Sequence, residues 1–287
     1  MPRVFSGHFK DLGDGFHVLR ILPHLEARAV GPFVFVDHFG PAAIKTGDEL
    51  MVRPHPHIGL STITYLYSGV IRHRDSLGTE LPIRPGEVNW MTAGRGIVHS
   101  EHSLLEADQN TIEGIQTWVA LPVEHEETEP AFDHYGADVI PVLAGAGYEI
   151  RLIAGSLMGK TSPVKTHSPL FYADVQTDAA TTIDLQLPAG QEGALYVSQG
   201  SFTVDGLEAK VGSMIVFDSK ASEVRLISPS AARGVLLGGK KHAEARHLWW
   251  NFVSSSKDRI EKAKADWKAN TMGIVPHETD RIPLPEK

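Results

Sequence analysis

The 287-residue chain contains no cysteine. Disulfides and thiol redox chemistry are thereby excluded, and no thiolate can compete for a bound metal. Long apolar runs are also missing. Nothing approaches the ~18 consecutive apolar residues of a membrane-spanning helix, and Met1-Pro2-Arg3-Val4-Phe5-Ser6-Gly7-His8 lacks the continuous apolar stretch of a secretory signal. The expected location is cytoplasmic, with no membrane partner. Basic charge is scarce as well: Lys and Arg number 27 against 35 Asp and Glu, a net charge of −8. That balance argues against direct nucleic-acid binding, which needs a basic footprint. The one basic cluster, Lys240-Lys241-His242 through Arg246-His247, is interrupted by Glu244 and reads as solvated surface. The expected partners are therefore a small molecule or another protein, and the chain is expected to be a monomer.

Against these absences stand 15 histidines. Two short segments use them in a pattern with chemical meaning, His55-Pro56-His57 and His99-Ser100-Glu101. Each places two metal-ligating side chains at i and i+2, which on a β-strand point to the same face. If the two strands are neighbours, three imidazoles and one carboxylate converge. Such a donor set suits iron, manganese, nickel, copper or zinc, and not an all-oxygen calcium or magnesium cage. Gly94-Arg95-Gly96, just before the second pair, supplies the tight turn such a strand needs. His73, His102, His125, His134 and His167 have no partner at ligand spacing and are read as structural. Asp37-His38 reads as structural or surface, Arg95 as solvating its turn, and Trp249, Trp250 and Trp267 as packing residues.

The length fits two domains. Aromatic and β-branched runs recur through residues 1–240: Phe33-Val34-Phe35-Val36, Thr62 to Tyr67, Val88 to Met91, Gln116 to Leu121, Ile150 to Ala154, Phe171 to Val175, Ala194 to Val197, Ser201 to Val204 and Met214 to Phe217. They are punctuated by Gly and Pro at the spacing of an all-β sandwich or barrel. Glu124-His125-Glu126-Glu127-Thr128-Glu129-Pro130, dense in charge, reads as an exposed boundary between 1–128 and 129–287. Tyr65-Leu66-Tyr67-Ser68-Gly69 is echoed by Tyr196-Val197-Ser198-Gln199-Gly200, and Gly78 and Gly86 by Gly206 and Gly212, so the halves look like copies of one unit. In that projection His55 and His57 fall near Gln186 and Pro188, and His99 and Glu101 near Arg225 and Ile227. The second copy has lost its ligands. Beyond it, Ser255-x-x-Asp258 fits a capping box, and Ile260, Ala263 and Trp267 recur at helical spacing, predicting a helix from about Ser256 to Ala269. Pro276, Pro283 and Pro285 keep the rest of the tail extended.

The segments His55-Pro56-His57-Ile58-Gly59, Asn89-Trp90-Met91-Thr92-Ala93-Gly94-Arg95-Gly96-Ile97-Val98-His99-Ser100-Glu101 and Gly31-Pro32-Phe33-Val34-Phe35-Val36-Asp37-His38-Phe39-Gly40-Pro41 resemble the pirin family of the cupin superfamily. Arg246-His247-Leu248-Trp249-Trp250-Asn251-Phe252-Val253 extends the likeness to the bacterial type. The resemblance implies an all-β bicupin, two tandem cupin-type antiparallel β-barrels with a C-terminal α-helix. The N-terminal barrel would be metal-binding and the C-terminal one metal-free. The implied ligands are His55, His57, His99 and Glu101, around one divalent transition metal. Iron as Fe(II) is the first choice; Mn, Ni, Cu, Zn and Co are the others. The implied activity is that of a quercetin 2,3-dioxygenase, cleaving a flavonol with O₂ and releasing CO, with Glu101 as catalytic base. The alternative is a non-enzymatic, iron-dependent regulatory protein that binds a transcription regulator or a metabolic enzyme. Ser61 departs from pirins with an H-P-H-R-G-F-E segment, which carry glutamate there.

Overall fold

In a computed structural model, which describes residues 1–12, 17–44, 50–106 and 110–286, the chain is built mostly of β-strands. Lys257–Lys268 is the one α-helix among the described residues. The expected strand runs all fall in strands, with Leu121 and Phe217 one residue beyond the ends of theirs. Two compact units emerge. One gathers Met1–Lys10, Leu19–His38 and Tyr135–His242; the other gathers Asp11–Val18, Phe39–His134 and Ala243–Lys287.

A single cut after residue 128 does not describe these units, and the physical reason lies in pairing and burial at the two ends of the chain. Arg3–Ser6 hydrogen-bonds antiparallel to Ser213–Val216 and so joins the unit of the second repeat. The C-terminal helix, assigned by sequence to the second domain, buries Ile260, Ala263 and Trp267 against Ile58 and Val98 of the first, together with Phe252.

In the unit of the first repeat, a four-stranded sheet runs in the order Met51–His57, Ile97–Leu104, Val70–Asp75, Glu80–Ile83. Leu60–Ser68 pairs antiparallel with both Val88–Thr92 and Thr111–Ala120. The turn predicted at Gly94-Arg95-Gly96 is present, with Gly94 at φ 50° and the Gly96 amide donating to the Ala93 carbonyl at 2.9 Å.

The unit of the second repeat repeats that sheet strand for strand: Thr181–Gln186, Glu223–Ser228, Ser201–Val204, Leu207–Lys210. Its interior is apolar. In Glu223–Ser228, Val224 and Leu226 are buried while Arg225 and Ile227 face out, the two-residue alternation of a strand with one wet face. Ile183 stands opposite Leu226, and Leu185 opposite Val224, within a core that includes Phe171, Phe202 and Leu236. The projected counterparts of the ligands were therefore out of phase. Gln186, Arg225 and Ile227 lie on the outer face, because a slip of one residue exchanges the two faces of a strand. The positions that do point inward carry Ile, Leu and Val.

The cap of the helix differs by one residue from the sequence reading. Ser256, not Ser255, is the N-cap, its hydroxyl accepting from the Arg259 amide at 3.3 Å. Ser255 is occupied elsewhere, its amide donating to Glu126 at 2.9 Å. Ser256→Ala should cost about 1 kcal/mol of stability, read as a lowered midpoint in urea unfolding; no change would remove the hydroxyl from the cap.

Candidate metal centre

The two ligand segments lie on neighbouring antiparallel strands. His55 stands directly opposite His99, His57 opposite Ile97, and a register shift between His99 and Glu101 leaves Glu101 opposite Val52. Strand parity then brings the three rings together, with centroids 5.0 Å apart for His55–His57, 4.4 Å for His55–His99 and 5.0 Å for His57–His99. All three are buried. Burial holds the His55 ring well below its ordinary range, at about 4, and pushes His57 and His99 down as well. The imidazoles are thus neutral near pH 7, the form that has a free lone pair.

Backbone carbonyls decide which nitrogen is free. His55 Nδ1 lies 2.9 Å from the Arg53 carbonyl and His57 Nδ1 3.2 Å from that of Asn251. A carbonyl can only accept, so both Nδ1 atoms carry the proton and both Nε2 atoms are bare. His57 Nε2 lies 3.1 Å from His99 Nε2. Two nitrogens bound to one ion at about 2.1 Å in adjacent positions stand about 3 Å apart. The donor set therefore fits a transition-metal ion among the three rings.

Glu101 approaches the cluster from one side. His55, His57 and His99 form one ligand-spaced group; His73, His99 and Glu101 form a second, with His99 common to both. The Thr64 hydroxyl lies 2.8 Å from one Glu101 oxygen and equally near Gln116 Oε1. Burial raises the Glu101 carboxyl above its usual range. Trp118 meets His57 edge-on at 5.0 Å, and Phe132 stacks on His73 at 4.3 Å. Ser61 stays clear of the cluster's polar contacts, its hydroxyl 3.2 Å from that of Thr92.

The residues read as structural divide. Asp37 takes both donors of Arg20 at 2.9 and 2.8 Å, and His38 Nδ1 lies 2.7 Å from the Tyr196 hydroxyl; neither belongs to the histidine cluster. Arg95 pairs with Glu129 at an exposed turn. His73 and His102 do have partners. His102 Nε2 is 2.8 Å from Glu278, while His73, opposite Glu101 in the sheet, lies 3.1 Å from the buried Asp75 carboxylate. The signal was present in His73-Arg74-Asp75, a third polar pair at i and i+2.

Two charged segments also differ from their sequence reading. Arg246, assigned to a solvated cluster, has a side chain only 5% exposed and pairs at 3.0 Å with Glu126, itself buried inside the stretch read as an exposed boundary.

Comparison with known proteins gives the fold and site a family context. Residues 15–119 match the family model for pirin, and residues 172–273 that for the pirin C-terminal cupin domain. A pirin-like protein of Caulobacter vibrioides is 47% identical over 99% of both chains. A Pseudomonas aeruginosa protein described as a candidate quercetin 2,3-dioxygenase is 39% identical, over 90% of this chain and 81% of its own. Among solved structures, a quercetin 2,3-dioxygenase from Acinetobacter baumannii superposes with a TM-score of 0.93 at 33% identity, covering 100% of this chain and 95% of that one.

Proposed function

The chain belongs to the pirin family, and from that premise we propose that it is a metal-dependent dioxygenase that cleaves flavonols such as quercetin with O₂ and releases CO. His55, His57, His99 and Glu101 are the proposed protein ligands, with Fe(II) the first candidate ion. One observation carries this reading: Nε2 of His57, left bare by the carbonyl behind its ring, meets Nε2 of His99 on the neighbouring strand at 3.1 Å, with His55 opposite His99 and its own Nε2 bare in the same way. A site of four protein ligands leaves room on a five- or six-coordinate ion for substrate or O₂, unlike a closed structural site. When bound, the ion supplies Lewis acidity and a path for electrons between an electron-rich substrate and O₂. The dioxygenase names of the Pseudomonas and Acinetobacter proteins support the choice of substrate class.

The chain's own groups have definable parts. Glu101 is the proposed general base for the flavonol 3-hydroxyl. Burial raises its pKa, which favours proton uptake, and the Thr64 hydroxyl holds one of its oxygens. Trp118 and Phe132 surround the rings with apolar surface that keeps water from competing. Both atoms of O₂ enter the ring-opened ester, and the carbon between the two cleaved bonds leaves as CO.

The metal-loaded full chain should consume O₂ and release CO from quercetin, and His55→Ala should abolish both. Turnover by the variant equal to wild type would sink the assignment. A fully loaded wild-type protein without turnover would point instead to iron-dependent regulation, checked by comparing partner retention by loaded and metal-free protein.

A further inference from the structure

The strand Val70–Asp75 lies on the other side of Ile97–Leu104 from His55. It presents Asp75 opposite His99 and His73 opposite Glu101. His99 thus faces a ligand across one strand boundary and a carboxylate–imidazole pair across the other. All three polar side chains are buried, Asp75 at 0%, His73 at 3% and His99 at 1% exposure.

The polarity of this chain of contacts can be worked out atom by atom. One Asp75 oxygen, Oδ1, accepts from the amides of Leu77 at 2.8 Å and Thr79 at 3.0 Å, which pins the carboxylate in its turn. The other, Oδ2, lies 3.1 Å from His73 Nε2. A carboxylate only accepts, so His73 Nε2 carries a proton, and in the neutral ring Nδ1 is then an acceptor. That Nδ1 lies 3.4 Å from His99 Nδ1, at the long end of a hydrogen bond. His99 must be the donor. With its proton on Nδ1, the bare Nε2 of His99 faces that of His57. His55 and His57 reach the same state through backbone carbonyls, whereas His99 Nδ1 meets the side chain of His73.

We propose that Asp75 and His73 form a positioning pair that fixes the tautomer and orientation of His99, so that its Nε2 is committed to the metal. The inference rests on the metal reading above and adds two residues that do not themselves touch the ion. A bland alternative is that His73 and Asp75 only fill space and cap the turn after the strand. The two differ in one respect: a spacer is indifferent to which atom donates, and a positioning pair is not.

Asp75→Asn is the discriminating change because it keeps the shape. The asparagine oxygen takes the two backbone amides, and its NH₂ then points at His73 Nε2. His73 must accept there and donate from Nδ1, which puts two N–H groups face to face at His99. The test uses Co(II) on the full-length protein, with affinity from chelator competition and proton NMR of the paramagnetic complex. Wild type should show three exchangeable, hyperfine-shifted ring N–H signals, one for each ligand histidine. Asp75→Asn should weaken Co(II) binding about 10- to 100-fold, as is typical when the partner of a ligand is lost, and should move or broaden one of the three signals only. His73→Leu should do the same, and His73→Gln, whose amide oxygen can accept from His99, should recover most of the affinity. A poorly folding Asp75→Asn leaves the His73 pair to decide. Unchanged affinity with three unaltered signals in His73→Leu would overturn the proposal. So would a visible spectrum of His73→Leu indicating one ligand fewer, since His73 would then be a ligand itself. Absence of any Co(II) binding by wild type would overturn the metal reading together with this one, whereas tight binding indifferent to His73 and Asp75 overturns this one alone.

Discussion

His99→Ala is expected to lower metal affinity by more than about 100-fold, above the range for partners that only support a ligand. The reason is topological. His99 is the one residue shared by both ligand-spaced groups, His55–His57–His99 and His73–His99–Glu101. Its strand, which also carries Glu101, lies between the strand of His55 and His57 and that of His73, so its ring links the paired histidines to the carboxylate group. Truncation removes a nitrogen and leaves His73 Nδ1 facing a cavity. The global fold should tolerate the change, because the strand keeps its backbone pairing on both sides. Chelator competition with Co(II) or Fe(II), with circular dichroism to verify the fold, would measure the effect. Near-wild-type affinity would mean that the ion, if any, sits elsewhere.

The second large effect is on stability. Glu126→Ala should cost about 3–5 kcal/mol, because it strands a buried guanidinium. Glu126 accepts from the Ser254 hydroxyl at 2.9 Å, the Ser255 amide at 2.9 Å and the Ser255 hydroxyl at 3.1 Å, and it pairs with Arg246 at 3.0 Å. Without it Arg246 keeps the carbonyls of Leu121 and Glu244 and, at 4.0 Å, the largely exposed Glu244 carboxylate. The loss would be read from urea unfolding at matched m-value. The double variant Glu126→Leu/Arg246→Met should regain part of it, since an apolar pair avoids the desolvation of both charges. A cost for Glu126→Ala below about 1 kcal/mol would show that water reaches Arg246 readily and that the pair is a surface one in effect.

Much of the site was legible because strand parity is a rigid rule. Once His55-x-His57 and His99 are placed on neighbouring strands, convergence of the three rings follows without knowledge of any contact; Glu101, beyond a register shift, groups with His99 and His73 instead of with His55 and His57. The same rule applied to His73-Arg74-Asp75 would have found the third strand of the site, but its members are not two conventional ligands, and the sheet order that places it beside His99 is not encoded locally. The repeat was legible too, yet its projection slipped by one residue. Turn lengths differ between the copies, and parity carries no information across a turn of unknown length. Glu126 and Arg246 were beyond reach for another reason. Each sits in a run of charged residues whose composition says solvent, and their separation of 120 positions conceals the pairing. Ser255 and Ser256 are both competent caps in sequence; only the demand of Glu126 for donors separates their roles.

The contact between His57 Nδ1 and the Asn251 carbonyl spans 194 positions. During synthesis the ligand histidines leave the ribosome early, whereas the group that sets the proton on His57 is made near the end. A nascent chain therefore has its ligands present but one of them free to tautomerise and turn. On the proposed metal reading, full capture of an ion would wait for the C-terminal segment to fold back, and a chain cut before Asn251 is expected to hold metal less tightly.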